Sequence, residues 1–191
     1  MGWYRKTLVK CLKLTEWQSI ELDDKEYAKI TIRKINCIID RKRNQNCTIV
    51  ELGCGLGDII ENIHSKGVRI GIDLNEKNIM VAKLLHPRSQ VKYVHGSFEK
   101  IYGMKIDFLI MVNVLHVIPP EVLITELDST IRNNTISYIV MDEVRDETNQ
   151  YKYEYDGEKL FGKFHYQKQY MGRRVEAAYK AYRRVVVYKK I

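Results

Sequence analysis

Residues 49–57 read Ile49-Val50-Glu51-Leu52-Gly53-Cys54-Gly55-Leu56-Gly57, and Asp73 follows twenty positions after Gly53. The apolar start of this stretch predicts a buried strand, and its three glycines predict a tight turn whose backbone can approach a ligand closely. Asp73 ends a second apolar run, Val68-Arg69-Ile70-Gly71-Ile72. A carboxylate at the end of the strand after such a turn can accept hydrogen bonds from ribose hydroxyls. The two features together predict a nucleoside site.

The spacing of the glycines distinguishes this turn from two other nucleotide-binding motifs. A dinucleotide-binding turn has the pattern Gly-x-Gly-x-x-Gly, whereas Gly53, Gly55 and Gly57 form Gly-x-Gly-x-Gly. Asp58 occupies the position of the missing glycine, and because a carboxylate there would repel a pyrophosphate, the sequence argues against NAD. The pattern Gly-x-x-x-x-Gly-Lys-Ser/Thr does not occur in the chain, which excludes a P-loop.

The same stretch resembles motif I of the class I S-adenosylmethionine-dependent methyltransferases, whose pattern is an acid, one residue and then Gly-x-Gly-x-Gly. In this chain Glu51 is that acid. The resemblance implies S-adenosyl-L-methionine as the cofactor, with Glu51 and the glycine turn at its methionine part and Asp73 at its ribose. Near the adenine amino group, where the family usually has an acid, this chain has Ser97. The cofactor-binding residues implied are Glu51, Gly53, Cys54, Gly55, Asp73, Leu74, Ser97, Phe98 and Asn113.

From residue 47 onward, short apolar runs alternate with helical patterns. The predicted strands are residues 47–52, 68–72, 91–94, 106–112 and 136–141, and the helices between them include residues 58–66 and 75–85. Such an alternation favours parallel strands that are joined by crossover helices. Together with the resemblance, it predicts a three-layer α/β/α Rossmann-like methyltransferase sheet, mostly parallel with an antiparallel C-terminal strand.

We expect a single methyltransferase domain over residues 1–191, since this length suits one hydrophobic core. Residues 1–46 would form an N-terminal helical cap, with an amphipathic helix at about residues 24–41. Residues 47–145 would form the cofactor-binding core, and residues 146–191 would supply substrate-side segments and the C-terminal strands.

The chain carries a formal net charge of +8, and some of its basic residues are adjacent. The clusters are Arg33-Lys34, Arg41-Lys42-Arg43, Arg173-Arg174, Arg183-Arg184 and Lys189-Lys190. A surface of this kind favours an anionic partner, either a phosphorylated or carboxylated small molecule or a nucleic acid. The four cysteines form no Cys-x-x-Cys pattern, so neither a metal site nor a disulfide framework is expected. We expect a cytoplasmic protein without a membrane span, and the oligomeric state stays open.

Three side chains are candidates for acid–base catalysis. His116 follows the fourth predicted strand and has an intrinsic pKa near neutrality. Glu143 follows the fifth strand, at the edge where open α/β sheets bind their ligands, and His165 lies in a segment of aromatic and basic residues. The Asn/Asp-Pro-Pro-Tyr/Phe signature of the amino-methyltransferases is absent, because Pro119-Pro120 come later and follow Ile118.

These features favour an S-adenosylmethionine-dependent methyltransferase that acts on an anionic acceptor of the small-molecule or glycan type, with oxygen as the favoured acceptor atom. Two alternatives stay open. An RNA methyltransferase would use the basic clusters at phosphates and the aromatic residues on unpaired bases. A methyltransferase-like protein would bind a ligand or a protein without catalysis, although it would have no need for the motif residues.

Overall fold

A mixed sheet of eight strands runs through the computed structural model, which describes residues 2–42, 45–146, 151–178 and 181–191. The strands are β1 Ile49–Leu52, β2 Arg69–Asp73, β3 Lys92–His95, β4 Lys105–Met111, β5 Thr135–Asp146, β6 Tyr166–Met171, β7 Val175–Ala178 and β8 Ala181–Lys190. The helices are α1 Gly2–Cys11, α2 Glu26–Lys42, α3 Glu76–Leu85, α4 Pro120–Asn133 and α5 Gly157–Phe161.

The strand order is β3-β2-β1-β4-β5-β8-β6, with β7 also paired to β8. Strands β1 to β5 are parallel to their neighbours, whereas β8 runs antiparallel to β5, β6 and β7. The predicted three-layer class, mostly parallel with antiparallel C-terminal strands, is therefore confirmed. Strand β2 lies on one side of β1, and β4 lies on its other side. Because the connections from β1 therefore diverge, a crevice opens at the carboxyl ends of these strands.

Alternate residues of the central strands pack into two different layers. Ile49 of β1 belongs to a buried cluster with Ile39 of α2, whereas its neighbour Val50 belongs to a second cluster with Leu123 and Leu127 of α4. Both faces of the sheet are thus covered, which is why the central strands are apolar throughout. Full burial of each such side chain contributes about 1.5–3 kcal/mol.

The two long helices predicted at residues 24–41 and 75–85 are confirmed as α2 and α3. Asn75 caps α3, since its side-chain oxygen accepts the backbone N–H of Lys77 at 3.0 Å. The cap provides a hydrogen-bond acceptor for one of the backbone N–H groups that have no partner within the first turn of a helix.

The helix predicted at residues 58–66 is wrong. A short 3₁₀ turn, Ile60–Asn62, is present there, and Ile63 already has an extended backbone. The guanidinium of Arg69 donates hydrogen bonds of 3.1–3.3 Å to three backbone carbonyls within residues 60–63. A longer helix would need these carbonyls for its own N–H groups. Arg69 therefore stops the helix from extending.

The N-terminal helix α1 packs against the glycine turn and against α3. Val9 of α1 lies in a buried cluster with Leu56 of the turn and with Val81 and Leu85 of α3. The first segment of the chain thus covers one side of the turn. In the ranges given above, no helix combines the length and the apolar character needed to cross a membrane.

We predict that Gly57→Ala lowers the free energy of unfolding by about 1–3 kcal/mol more than Gly103→Ala, the range for an overpacked core site. Both glycines have a positive φ, +88° and +80°, so alanine is strained at either position. A Cβ at Gly57 would lie 2.0 Å from the hydroxyl oxygen of Tyr93, whereas a Cβ at Gly103 would meet nothing within 4 Å. Urea denaturation measures both variants. Equal losses of unfolding free energy in the two variants would show that the contact between Tyr93 and position 57 does not require a glycine there.

Candidate functional site

A cavity of about 290 Å³ opens at the carboxyl ends of β1, β2 and β4. Its wall contains every residue that the sequence analysis assigns to cofactor binding: Glu51, Gly53, Cys54, Gly55, Asp73, Leu74, Ser97, Phe98 and Asn113. The strand order brings them together, because β1 lies between β2 and β4 and is parallel to both. Open α/β sheets bind their ligands at this kind of position. The contacts of these residues with a ligand stay a prediction.

Asp73 is held in one orientation by three donors. Its carboxylate accepts hydrogen bonds from the backbone N–H of Gly55 at 2.8 Å, the backbone N–H of Asn75 at 2.8 Å and the side-chain amide of Asn78 at 3.1 Å. The two oxygens of a carboxylate have about four lone-pair positions. Capacity therefore remains for hydroxyl groups of a ligand, and the carboxylate need not turn to receive them.

Glu51 lies deep in the cavity and is 2 % exposed. One of its carboxylate oxygens accepts the backbone N–H of Ile60 at 3.0 Å. Burial raises the pKa of Glu51 well above its ordinary value, the hydrogen bond lowers it in part, and the charges of Asp58 and Asp73 raise it further. A cationic group bound beside Glu51 would favour its ionised form.

The glycine turn is confined by two segments that are distant in sequence. Gly53 and Gly55 have φ values of +71° and +54°, in the region that favours glycine. A Cβ at Gly53 would lie 2.5 Å from the side chain of Val114, and a Cβ at Gly55 would lie 3.1 Å from the side-chain amide of Gln18. A side chain at Gly53 would therefore overlap Val114, whereas a side chain at Gly55 would require a small movement of the Gln18 amide.

The N-terminal segment, which we expected to form a cap, supplies part of the cavity wall through residues that the sequence analysis did not name. Trp17, Gln18, Lys25 and Tyr27 all line the cavity. The rings of Trp17 and Tyr27 stack with their centroids 6.2 Å apart. No motif or spacing marks these residues, because their contribution depends on how the segment folds back over the turn.

Asp58 holds this N-terminal segment against the glycine turn. Its carboxylate binds Arg5 of α1 through hydrogen bonds of 2.6 and 2.8 Å and binds Lys25 at 2.6 Å. Burial alone would raise the pKa of Asp58, but the hydrogen bonds and charges of Arg5 and Lys25 outweigh burial and lower it. Burial also lowers the pKa of Lys25, an effect that Asp58 opposes. Asp58, whose charge disfavours a pyrophosphate, therefore anchors α1 to the glycine turn.

A buried polar network lies where β4, β5 and β8 meet. Asp142 accepts the backbone N–H of Asn113 at 2.8 Å and forms an ion pair of 3.2 Å with Arg183. Arg183 also donates to the side-chain oxygen of Asn113 at 2.7 Å and to the hydroxyl of Tyr151 at 2.7 Å. The ring centroid of Tyr27 lies 4.4 Å from the guanidinium carbon. Asn113 and Tyr27 connect this network to the cavity, since both line its wall.

The prediction that Arg183 shares a basic surface with Arg184 is wrong for Arg183, which is 2 % exposed. Successive residues of a strand point to opposite faces of the sheet, so adjacent arginines on β8 have different surroundings. The alternation of side chains between the two faces of a strand was the signal that could have distinguished the buried Arg183 from Arg184.

His116 lies beside the cavity, on the 3₁₀ turn Leu115–Val117 that follows β4. Its ring meets the ring of Tyr151 edge-on, with centroids 4.7 Å apart. Burial lowers the pKa of His116 and Arg183 lowers it further, although Asp142 raises it. The ring is therefore neutral at pH 7, and its buried Nδ1 has no hydrogen-bond partner within the described part of the chain. The base role of His116 stays a proposal.

The structure does not bring Glu143 to the cavity. Its carboxylate accepts hydrogen bonds from the hydroxyl of Tyr188 at 3.0 Å and from the backbone N–H of Gly157 at 3.3 Å. Because successive residues of β5 point to opposite faces, Glu143 points away from the network that contains Asp142. Its contacts fix α5 against the sheet, and we leave it out of the proposed site.

His165 is exposed and lies at the opposite edge of the sheet from the cavity. It directly precedes β6, whose first residue pairs with Lys190 at the end of β8. Since β8 is antiparallel to β5, the end of β8 lies beside the start of β5. The cavity opens at the carboxyl ends of the parallel strands, so His165 also falls outside the proposed site.

The charges of the cavity suit S-adenosyl-L-methionine, a molecule with a sulfonium and an ammonium against one carboxylate. Among the described residues, the wall contains three acids, Glu51, Asp58 and Asp73, and one ammonium, Lys25. Asp58 is paired with Arg5 and Lys25, so Asp73 and Glu51 are the acids that remain for a cationic ligand, which would favour the ionised form of Glu51. Buried Phe98 provides apolar surface for a base, so the residues present fit this cofactor.

Comparisons with known proteins agree with this geometry. Residues 50–139 match a protein family described as Methyltransferase domain. The match runs from β1 into β5 and contains the glycine turn, Asp73 and Asn113. No curated protein matches the chain.

Two solved structures illustrate the similarity of fold. Magnesium protoporphyrin IX methyltransferase from Synechocystis PCC 6803, with bound SAH, has a TM-score of 0.71 at 15% identity, and the match covers 93% of this chain and 89% of that one. The N-methyltransferase NodS from Bradyrhizobium japonicum WM9 has a TM-score of 0.69 at 13% identity, over 88% of this chain and 98% of that one. At these identities the likeness concerns the fold, and the acceptor is a separate question.

We predict that Asp58→Asn lowers the free energy of unfolding by about 3 kcal/mol at pH 7, because it leaves Arg5 and the nearly buried Lys25 without a counter-charge. Asp128→Asn is the matched control, since Asp128 pairs with the exposed Arg132. Such a surface pair contributes little to stability, because water and salt screen its charges. Urea denaturation measures both variants, and equal effects would contradict the anchoring role of Asp58.

The difference in unfolding free energy between wild type and Asp58→Asn should also depend on pH. The pKa of Asp58 is lowered in the folded state, so its stabilising contribution is present above its unfolded pKa and is lost as the pH falls through the folded one. The difference between wild type and Asp58→Asn should therefore narrow below about pH 4. A difference that stays constant down to pH 3 would show that the charge of Asp58 is not the stabilising feature.

Proposed function

Because this chain belongs to the class I S-adenosylmethionine-dependent methyltransferases, we propose that it methylates an oxygen atom of an anionic acceptor of the small-molecule or glycan type. The observation that carries the proposal is the cavity at the carboxyl edge of the sheet, where the motif residues meet. S-adenosyl-L-methionine supplies a methyl group whose bond to sulfur breaks with the electron pair remaining on sulfur.

The protein contributes mainly by positioning the reactants. We assign the ribose hydroxyls to Asp73, whose orientation three hydrogen bonds already fix. The methionine end is assigned to Glu51 and the glycine turn, because a buried carboxyl group can stabilise a neighbouring cation. Ser97 and Phe98 are assigned to the base.

The choice of an anionic oxygen acceptor has three supports. The sequence lacks the signature of amino-methyltransferases, because Pro119-Pro120 follow Ile118. The formal net charge of +8 attracts anions. We assign the removal of a proton from a hydroxyl group to His116, which directly follows β4 beside the cavity and whose pKa is lowered by burial.

A second candidate acceptor is RNA, favoured by a basic groove beside α2. Arg33, Lys34 and Arg173 border this groove, whose volume is about 360 Å³, together with Tyr170. The ammonium of Lys34 lies 4.1 Å from the ring centroid of Tyr170. Cations beside an aromatic ring can hold a phosphate and a stacked base. This groove lies outside the cavity, so RNA would have to reach both.

We predict that Asp73→Asn weakens binding of S-adenosylhomocysteine by about 10- to 100-fold, since hydrogen bonds to a charged group contribute about 1.5–3 kcal/mol. Asp107→Asn is the control, because Asp107 accepts the backbone N–H of Thr48 at 2.9 Å near the start of β4, away from the cavity. Isothermal titration calorimetry measures both. Failure of the wild type to bind would overturn the proposed function, whereas an unaffected Asp73→Asn variant would remove only the ribose role.

If RNA is the acceptor, binding of a short single-stranded RNA should weaken steeply between about 50 and 200 mM salt. Replacing Arg33 and Lys34 by glutamine should then reduce the slope of the logarithmic salt plot by about one for each lost cation. Arg132→Gln, on the surface of α4, should leave the slope unchanged. Fluorescence anisotropy measures these affinities, and a wild-type slope near zero would exclude RNA.

A further inference from the structure

Asn113 has a backbone conformation that few residues adopt. Its φ is +62°, in the left-handed region, where asparagine is tolerated better than most non-glycine residues. Its backbone N–H donates to Oδ1 of Asp142 at 2.8 Å. The main chain therefore fixes where the side chain of Asn113 begins, just after β4 and in the wall of the cavity.

The atom of Asn113 that faces Arg183 follows from the chemistry of the guanidinium group. Nη1 of Arg183 lies 2.7 Å from the end of the Asn113 side chain. A guanidinium has N–H donors and no acceptor. The atom it contacts must be the amide oxygen, because the amide nitrogen at this distance would set two donors against each other.

Arg183 is itself held by contacts at both of its Nη atoms and at the face of its guanidinium. Its Nη2 donates to the hydroxyl of Tyr151 at 2.7 Å, its Nη1 lies 3.2 Å from Asp142, and the ring of Tyr27 covers the guanidinium. The side chains of Arg183 and Asp142 are each 1 % exposed. Separating a buried ion pair is strongly unfavourable, so Arg183 holds the amide of Asn113 in one orientation.

With its oxygen bound to Arg183, Asn113 has its amide nitrogen left for a ligand. Among the described residues, none accepts a hydrogen bond from this nitrogen. An acceptor oxygen can use one lone pair for the methyl carbon and a second for the N–H of Asn113. A neutral amine has a single lone pair, and the bond to the methyl carbon uses it. The amine would then present only N–H donors to the N–H donor of Asn113.

We infer that Arg183 is a specificity-determining residue of the transfer reaction: it presents Asn113 to the acceptor as a hydrogen-bond donor and thereby selects an oxygen nucleophile over an amine. The inference rests on the proposed function, since it places the reacting atoms beside Asn113. Arg183 acts through Asn113 and is therefore a positioning residue.

Two substitutions test the two parts of this inference. Asn113→Asp keeps an oxygen for Arg183 and tolerates a positive φ, but it replaces the donor nitrogen with a second oxygen. Arg183→Met removes the donors that hold the amide and leaves Asn113 free to turn. Arg184→Met is the matched control, because the neighbouring arginine points to the other face of β8.

The readout is methyl transfer from tritiated S-adenosyl-L-methionine to matched neutral acceptors, phenol against aniline and 4-methylphenol against 4-methylaniline. The ratio of kcat/KM within each pair does not change when a variant merely loses folded protein. We expect the wild type to label the oxygen member at least about tenfold faster, the difference that 1.4 kcal/mol represents. Asn113→Asp and Arg183→Met should lower this ratio at least about tenfold, and Arg184→Met should not change it.

A wild-type preference for the amines would overturn the inference, and so would a ratio that neither Asn113→Asp nor Arg183→Met changes. Protein that binds S-adenosylhomocysteine by calorimetry but labels none of these acceptors would also contradict it, because the donor of Asn113 would then select no nucleophile. Failure to bind S-adenosylhomocysteine is a different result, which overturns the proposed function and the inference with it.

Discussion

The hydrogen bond from the backbone N–H of Gly55 to the carboxylate of Asp73 joins the ends of β1 and β2. The same carboxylate accepts hydrogen bonds from Asn75 and Asn78, so it also fixes the start of α3. Hydrogen bonds to a charged group contribute about 1.5–3 kcal/mol each. Without this carboxylate the glycine turn would lose one of its links to β2, while the backbone hydrogen bond from Cys54 to the carbonyl of Ile72 would remain.

The cavity has two electrostatically different ends. Around the glycine turn, the carboxyl groups of Glu51 and Asp73 line the cavity, and a cationic cofactor beside Glu51 would favour its ionised form. Beside Asn113, the charges of Arg183 and Asp142 balance each other, and the cavity meets a hydrogen-bonding group instead of a net charge. A site of this kind can hold a cationic donor at one end and orient a nucleophile at the other.

The sequence predicted the elements whose signals are local. The apolar strands and the glycine turn were visible because their patterns lie within a few residues, and so was the helix predicted at residues 75–85. The helix expected at residues 58–66 failed because Arg69, from the following strand, binds its carbonyl groups. His165 was misplaced for a similar reason, since its distance from the cavity depends on the antiparallel pairing of β8.

The spacing of Glu51, the three glycines and Asp73 was enough to predict the family and a set of residues that line one cavity, because neighbouring parallel strands bring the ends of successive strands to one edge. Only the tertiary structure brought Arg5 and Lys25 to Asp58, across 53 and 33 residues. Only the tertiary structure buried Arg183 beside Asn113, across 70 residues. Ion pairs and hydrogen bonds between distant residues leave no periodic pattern in a sequence, so the surroundings of Asn113 in the cavity wall become visible only in the folded chain.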